Sequence, residues 1–185
     1  SRSTLSDSPY WTADGGKGWY FMNQGLVKGG EPSEFLNNTH PDEVIAYLRK
    51  FKDAGAKFVQ TVTFRGIADT LGALLKDRVL TDDDIRQINQ RGAENTVTAV
   101  ENEAWVAGSI GPSGKVWKYE GYNEDEVRRI FRPQIEGLAQ GRVDVFWVET
   151  QLALGEAEAI IRLAQELYPR IPIVLTKTFN YYPET

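Results

Sequence analysis

The sequence predicts an α/β fold of parallel βα repeats, and three observations predict it. First, five short runs rich in Val, Ile, Phe and Trp recur along the chain: YWTAD (10–14), KFVQTVTF (57–64), AWVAGSIG (104–111), VDVFWVET (143–150) and IPIVLTKTF (171–179). Second, segments with helix start and stop signals separate them. Third, the runs are almost continuously apolar, as strands covered on both faces are. The order is β-α-β-α-β-α-β-α-β. It fits strands one to five of a (β/α)8 barrel, a partial TIM barrel, since the whole typically needs ~250 residues. It also fits an open flavodoxin-like sheet. No linker or low-complexity tract divides residues 1–185, which read as a single domain.

Each helical segment has its own signals. Residues 41–54 open on Pro41, Asp42 and Glu43 and close at Gly55. Residues 82–103 follow Thr81, with Asp84 placed to complete a capping pair. Residues 124–140 follow Asn123 and end at Gly141, and Pro133 inside them predicts a kink or a break. Residues 155–168 carry Ala157, Ile160, Ile161, Ala164 and Leu167 on one helix face.

Composition excludes several classes. The chain has 185 residues, 41% hydrophobic and 25% charged, as a globular protein with a real core requires. A net charge of −5 argues against a nucleic-acid surface. No apolar run approaches the ~18 residues of a membrane span, and the N-terminal residues lack a secretory apolar core, so the expected location is cytoplasmic. There is no cysteine and one histidine, His40, which excludes thiolate chemistry from this chain. Any metal would have to rest on carboxylates.

In parallel α/β folds ligands bind at the carboxyl ends of the strands. Those ends carry Asp14, Gly15 and Gly16; Thr61 and Thr63; Ser109; Glu149; and Thr176 and Thr178. Asp14, Thr63, Ser109, Glu149 and Thr178 are therefore candidates for one shared mouth. VQTVTF (59–64) and VLTKTF (174–179) nearly repeat, which suits two strands with threonines near their ends, or simply two strands, since Val and Thr favour strands.

Longer stretches add a resemblance. ADGGKGWYFMNQGLVKGG (13–30), HPDEVIAYLRKFKDAGAKFVQTVTF (40–64), VAGSIGPSG (106–114), QIEGLAQGRVDVFWVET (134–150) and IPIVLTKTF (171–179) are similar, in order and spacing, to the homocysteine S-methyltransferase family, nearest its betaine-dependent members. The resemblance implies a TIM barrel that moves a methyl group from a donor to the sulfur of homocysteine, giving methionine. It implies a zinc ion, held by cysteine thiolates on strands six and eight, that activates that sulfur. It implies that Asp14, Gly15, Gly16 and Glu149 help hold homocysteine, with Glu149 on its ammonium group. The chain reads as the N-terminal five βα units, without zinc ligands, so that a zinc-bearing C-terminal part or another chain is expected to supply them; the alternative is a catalytically inactive small-molecule-binding or structural half-barrel. The expected partners are homocysteine, a methyl donor, and a second cysteine-bearing chain or further copies of this one. Arg65 and Lys17 depart from the family pattern, and added cations make a quaternary ammonium donor such as betaine a poor guess.

The remaining features have plainer readings. Gly111-Pro112-Ser113-Gly114 resembles a phosphate cradle but lacks the Walker pattern, so a turn is expected. His40 is expected at a helix start. Trp11, Trp19, Tyr20 and Phe21 suit either a pocket wall or core. Lys177 should point away from the interior and blunt an edge strand, rather than serve as a Schiff-base lysine.

Overall fold

The computed structural model describes residues 10–28, 31–73, 75, 79–115 and 123–179. The N-terminal residues 1–9 and the last two residues of the 13–30 stretch lie outside them. Among the described residues, four strands form one parallel sheet: β1 (Phe58–Gln60), β2 (Trp105–Ile110), β3 (Val145–Gln151) and β4 (Ile173–Lys177), paired in the order β1-β2-β3-β4. The run at 10–14 is not a full strand. It contributes one parallel bridge, Ala13 to Phe58, with Asp14 N–H donating to the Phe58 carbonyl at 3.1 Å. Asp14 turns at once into Gly15-Gly16, which leaves too little extended chain for a ladder.

Chain-sequential order has a structural consequence. A right-handed crossover between adjacent parallel strands puts every connecting helix on the same side of the sheet. A flavodoxin-like sheet reverses its order and places helices on both sides. Here α3 (Pro41–Asp53), α5 (Asp82–Val100), α6 (Glu124–Gln140) and α7 (Leu154–Leu167) pack each upon the next in sequence. The arrangement is a sector of a (β/α)8 barrel, and the flavodoxin-like alternative is set aside. Short helices α1 (Gly18–Asn23), α2 (Leu36–Thr39) and α4 (Ala68–Gly72) complete the connections, with a 3-10 turn at Ser33–Phe35 before α2.

The helix ends follow their signals. Thr81 Oγ accepts from Asp84 N–H at 3.2 Å while the Asp84 carboxylate accepts from Thr81 N–H at 2.9 Å, which closes the capping box. This helix ends at Val100, short of 103, because Glu101 and Asn102 take left-handed conformations (φ 51° and 62°). Asn123 Oδ1 accepts from Glu126 N–H at the start of α6. Pro133 does not break α6, which runs unbroken from Glu124 to Gln140. Phe131 and Ile135 beside it are fully buried, and their packing outweighs the hydrogen bond the proline removes.

The core lies between sheet and helices. Val59, Val106, Phe146 and Val148 face it from the strands and meet Phe131, Ile135, Leu138, Ile160 and Leu163. Strand side chains alternate, so Phe58 and Trp147 occupy the opposite face, where their rings sit 5.5 Å apart. Gly137 allows α5 and α6 to touch: a methyl there would collide with the Arg86 carbonyl. Trp11 meets Phe58 edge-on, Tyr20 stacks on Tyr47 at 3.8 Å, Phe21 is buried, and Trp19 is exposed. These aromatic residues are packing or surface, and none lines the cavity described next.

Candidate functional site

A cavity of about 570 Å³ opens at the carboxyl end of the sheet, between the Asp14 turn, the 3-10 turn and the ends of β1 to β3. That size lies in the range of small-molecule sites, roughly 300–1,000 Å³. Asp14, Gly15, Gly16, Thr63, Ser109 and Glu149, all expected from the sequence, line it. Thr178 does not. Its N–H donates to the Gln151 carbonyl at 3.0 Å, beyond the far end of β4.

The Asp14 side chain is completely buried. Its Oδ2 accepts from Gln60 N–H at 2.9 Å and lies 2.8 Å from Lys17 Nζ. Burial raises the Asp14 carboxyl above its ordinary value of 3.8; Lys17 and the Gln60 hydrogen bond offset part of this, and the nearby Glu149 charge adds to it. Tyr47 donates its hydroxyl to the Gly16 carbonyl at 3.0 Å and so pins the turn. Burial, and then the Asp14 charge, raise that phenol. A Cβ on Gly15 would meet only Phe51, at 3.8 Å, and one on Gly16 would meet nothing within 4 Å. Packing does not require these two glycines, and their bareness leaves room over the turn for a ligand to approach the backbone.

Glu149 stands at an irregularity of β3. The ladder with β4 shifts between Val148 and Gln151, and Thr150 adopts φ 58°. Such bulges re-aim side chains next to binding sites. Ser109 Oγ donates to Glu149 Oε1 at 2.5 Å. Ser109 is itself fixed: its N–H donates to Thr61 Oγ at 3.0 Å, and its carbonyl accepts from Thr63 Oγ at 2.8 Å.

Thr63 also touches the helices, with its methyl where a side chain on Gly92 would need to be, 2.6 Å away. So Val59 and Thr63 lie on the helix side, whereas Val174 pairs with Trp147 on the opposite face. The two near-repeats therefore present opposite faces. Their shared feature is that hydroxyls stitch neighbouring strands, since Thr176 Oγ likewise accepts from Thr150 N–H at 3.2 Å.

The loop after β1 is held by buried carboxamides. Asn37 donates to the Val62 carbonyl at 2.8 Å, Gln134 to Thr63 at 2.7 Å, and Asn89 to Gly66 at 2.7 Å. Sequence reasoning missed these, because a carboxamide in a helix reads as surface. It also missed Glu34, which lines the cavity and is 2% exposed. Its Oε1 accepts from Arg65 N–H at 2.8 Å, and Arg65 Nε stands 3.8 Å from Oε2. Burial raises its carboxyl too, against the opposing effect of Arg65. Lys17 and Arg65 are thus each paired with a buried carboxylate rather than forming a bare cationic wall.

These two raised groups give a pH signature. A buried carboxyl displaced upward contributes stability that is complete below its unfolded value and lost as pH rises through the folded one. The variant D14N/E34Q is therefore expected to lose less stability than the parent as pH rises above the ordinary carboxyl values of 3.8 and 4.5. Each pH unit of displacement removed is worth about 1.4 kcal/mol, and urea unfolding across that range measures it. Equal pH slopes in the two proteins would refute the assignment.

Other candidates fall outside the cavity. In the Gly111–Gly114 turn, Ser113 N–H and Oγ donate to the buried Glu156 carboxylate at 3.0 and 2.5 Å, so the protein's own anion fills that cradle. Lys177 Nζ, at the end of β4, donates to the carbonyls of Leu152, just after β3, and Thr178. His40 precedes α3 and bonds Thr39 without capping the helix. Among the described residues no cluster of three His, Cys, Asp or Glu is placed to hold a metal ion, and none of the 185 residues is cysteine. The donor set does not fit a thiolate-held zinc ion. Nor, among the described residues, is any helix long and apolar enough to cross a membrane.

Comparisons with known proteins bear on the family and the fold. A family model described as homocysteine S-methyltransferase matches residues 3–184. The chain is 30% identical over 135 residues to methionine synthase of Mycobacterium leprae (strain TN), a match covering 70% of this chain and 11% of that protein. It is 27% identical over 151 residues to betaine–homocysteine S-methyltransferase 1 of Danio rerio, covering 81% of this chain and 36% of the relative. It thus spans about a third of that relative's length. The homocysteine methyltransferase MmuM from Escherichia coli, in its oxidized form, shares the fold, with a TM-score of 0.79 and 21% identity over 94% of this chain and 64% of that one. Its metallated form aligns with a TM-score of 0.74 and 19% identity, covering 88% and 61%.

Proposed function

The chain belongs to the homocysteine S-methyltransferase family, and on that premise we propose that it supplies the amino-acid-binding part of a site that methylates homocysteine to methionine. The observation that carries this reading is one cavity holding Asp14 with Lys17, Glu149 with Ser109, and the bare Gly15-Gly16 turn. An α-amino acid carries an ammonium and a carboxylate. The ammonium suits Glu149, with the Asp14 charge close by. The carboxylate suits Lys17 and the turn amides. Charge-assisted hydrogen bonds of this kind are the strong ones. Thr61 and Thr63 act through Ser109, keeping the Glu149 carboxylate in place.

In the reaction, the bond from the donor to its methyl carbon breaks with the electron pair leaving on the donor. A carbon–sulfur bond forms from homocysteine, whose thiol gives up its proton. A zinc ion would supply stabilisation of the thiolate in such chemistry, and no residue described in this chain fits it. Its cysteine ligands would come from a zinc-bearing C-terminal part or from another, cysteine-bearing chain. This chain's contribution is to bind and orient the amino acid.

A second reading is a half-barrel that binds a small molecule without catalysis; the cavity at the strand ends suits it equally. Native mass, chain identities and zinc content of the purified protein separate the two, together with a methyl-transfer assay. A zinc-containing complex with a cysteine-bearing chain is the expected result, with no transfer by this chain alone. Transfer by this chain alone with added zinc would refute the division of labour. A zinc-free monomer or homodimer that binds homocysteine would favour the second reading.

A further inference from the structure

Four non-glycine residues among those described take a left-handed backbone: Glu101, Asn102, Arg142 and Thr150. The first three lie in turns just after α5 and α6, where such conformations are ordinary. Thr150 lies inside β3, next to Glu149. It is β-branched, and for such a residue a φ of 58° is a true outlier, because its Cβ crowds the backbone. Its side chain is exposed, so burial does not offset the cost. A bulge with a left-handed residue ordinarily gives that place to glycine. A costly conformation persists only where its surroundings over-determine it, and such residues gather at functional sites.

The surroundings are anchored on both sides. Val148 pairs with Leu175 before the irregularity and Gln151 with Lys177 after it, so β3 fits two residues, Glu149 and Thr150, against the single Thr176 of β4. Thr150 N–H donates to Thr176 Oγ at 3.2 Å, Gln151 Nε2 donates to the Glu149 carbonyl at 3.3 Å, and the Gln151 carbonyl accepts from Thr178 N–H at 3.0 Å. Gln151 itself is 1% exposed, which holds the far side of the bulge in place. In a regular strand Gln151 would share the face of Glu149. Here it stands opposite Lys177, two places beyond Leu175 and so on the face of Val148, the helix side. The extra residue at Thr150 divides the strand: Glu149 is turned to the cavity, and Gln151 belongs to the other face.

We infer that Thr150 is a positioning residue, whose left-handed backbone fixes the aim of Glu149 into the cavity at a cost in fold stability. The inference rests on the reading of Glu149 as the carboxylate that receives the amino acid's ammonium. A stiff residue held in this conformation leaves Glu149 one orientation, with Ser109 Oγ at 2.5 Å. Glycine in its place would relieve the crowding and let the bulge sample other shapes, because glycine takes both signs of φ readily. Stability and affinity should therefore move in opposite directions, which a merely structural residue would not produce.

Thermal unfolding and calorimetric titration with L-methionine test it on T150G, T150N, E149Q and the double variant E149Q/T150G. T150G should raise Tm by about 2–4 °C and weaken L-methionine binding roughly three- to tenfold. T150N should also raise Tm but lose less affinity, since asparagine accepts the left-handed region and is stiffer than glycine. In the E149Q background T150G should change affinity less than about twofold, because the two residues act as one unit. A fall in Tm with T150G would show that the conformation carries no cost and would overturn the inference. Unchanged affinity in T150G while E149Q weakens binding would also overturn it, as would equal losses from T150G in both backgrounds; each of these leaves the homocysteine reading standing. A silent E149Q, or no binding by the parent, would sink that reading and the inference with it.

Discussion

Replacing Glu149 by glutamine is expected to weaken homocysteine and methionine binding by about ten- to a hundredfold. The change keeps the side chain's shape and its contact with Ser109, because an amide oxygen still accepts from the Ser109 hydroxyl. It removes the charge and puts an N–H₂ where the ligand's ammonium should be accepted. A hydrogen bond to a charged group is worth about 1.5–3 kcal/mol, which sets that range. Calorimetric titration with L-homocysteine under reducing conditions measures it. Unchanged affinity would mean that Glu149 serves only to hold Ser109 and the end of β2. S109A is a useful companion: it frees the carboxylate without removing it, and should cost less than E149Q.

The largest stability effect is expected from Phe131→Ala. Phe131 is fully buried on α6, the helix that packs against both α5 and α7. Large-to-small changes of a buried phenylalanine cost about 3–5 kcal/mol, because the lost transfer energy is joined by the cavity left behind. For a chain of this size that lowers Tm by about 6–20 °C. Urea and thermal unfolding followed by circular dichroism check it. Ligand affinity measured well below the transition should be retained, since Phe131 does not line the cavity. A loss under 1 kcal/mol would show that α6 can settle into the space, contrary to its close seating on α5 at Gly137.

The parts of the fold legible in the sequence were those written locally. The capping of α5 by Thr81 and Asp84, the start of α6 at Asn123 and the apolar face of α7 are each set by residues a turn apart. Strand ends were legible too, and with them the placing of Asp14, Glu149 and Thr63 around one cavity. What escaped depends on partners distant in sequence. Glu34 reads as an ordinary acid after a proline; only the fold brings Arg65 to it and closes the cavity around both. Gln134, Asn89 and Asn37 look like helix-surface amides until the β1 loop lies over them. Thr178 lies outside the cavity. Its strand position matched the pattern, but the ladder slips at Thr150 and the cavity is bounded by β3. Pro133 was misread because local propensity yields to the burial of Phe131 and Ile135.

Chain-sequential strand order also governs how the molecule comes into being. Parallel pairing is ordinarily slow, because two strands must meet across a long crossover before any ladder bond forms. Here each strand's partner is the one made just before it, and each principal helix rests on its predecessor. A nascent chain emerging at about 5–20 residues per second therefore offers every new repeat a finished surface to land on. An interior strand waits with an open edge only for the few seconds that one further repeat takes to appear.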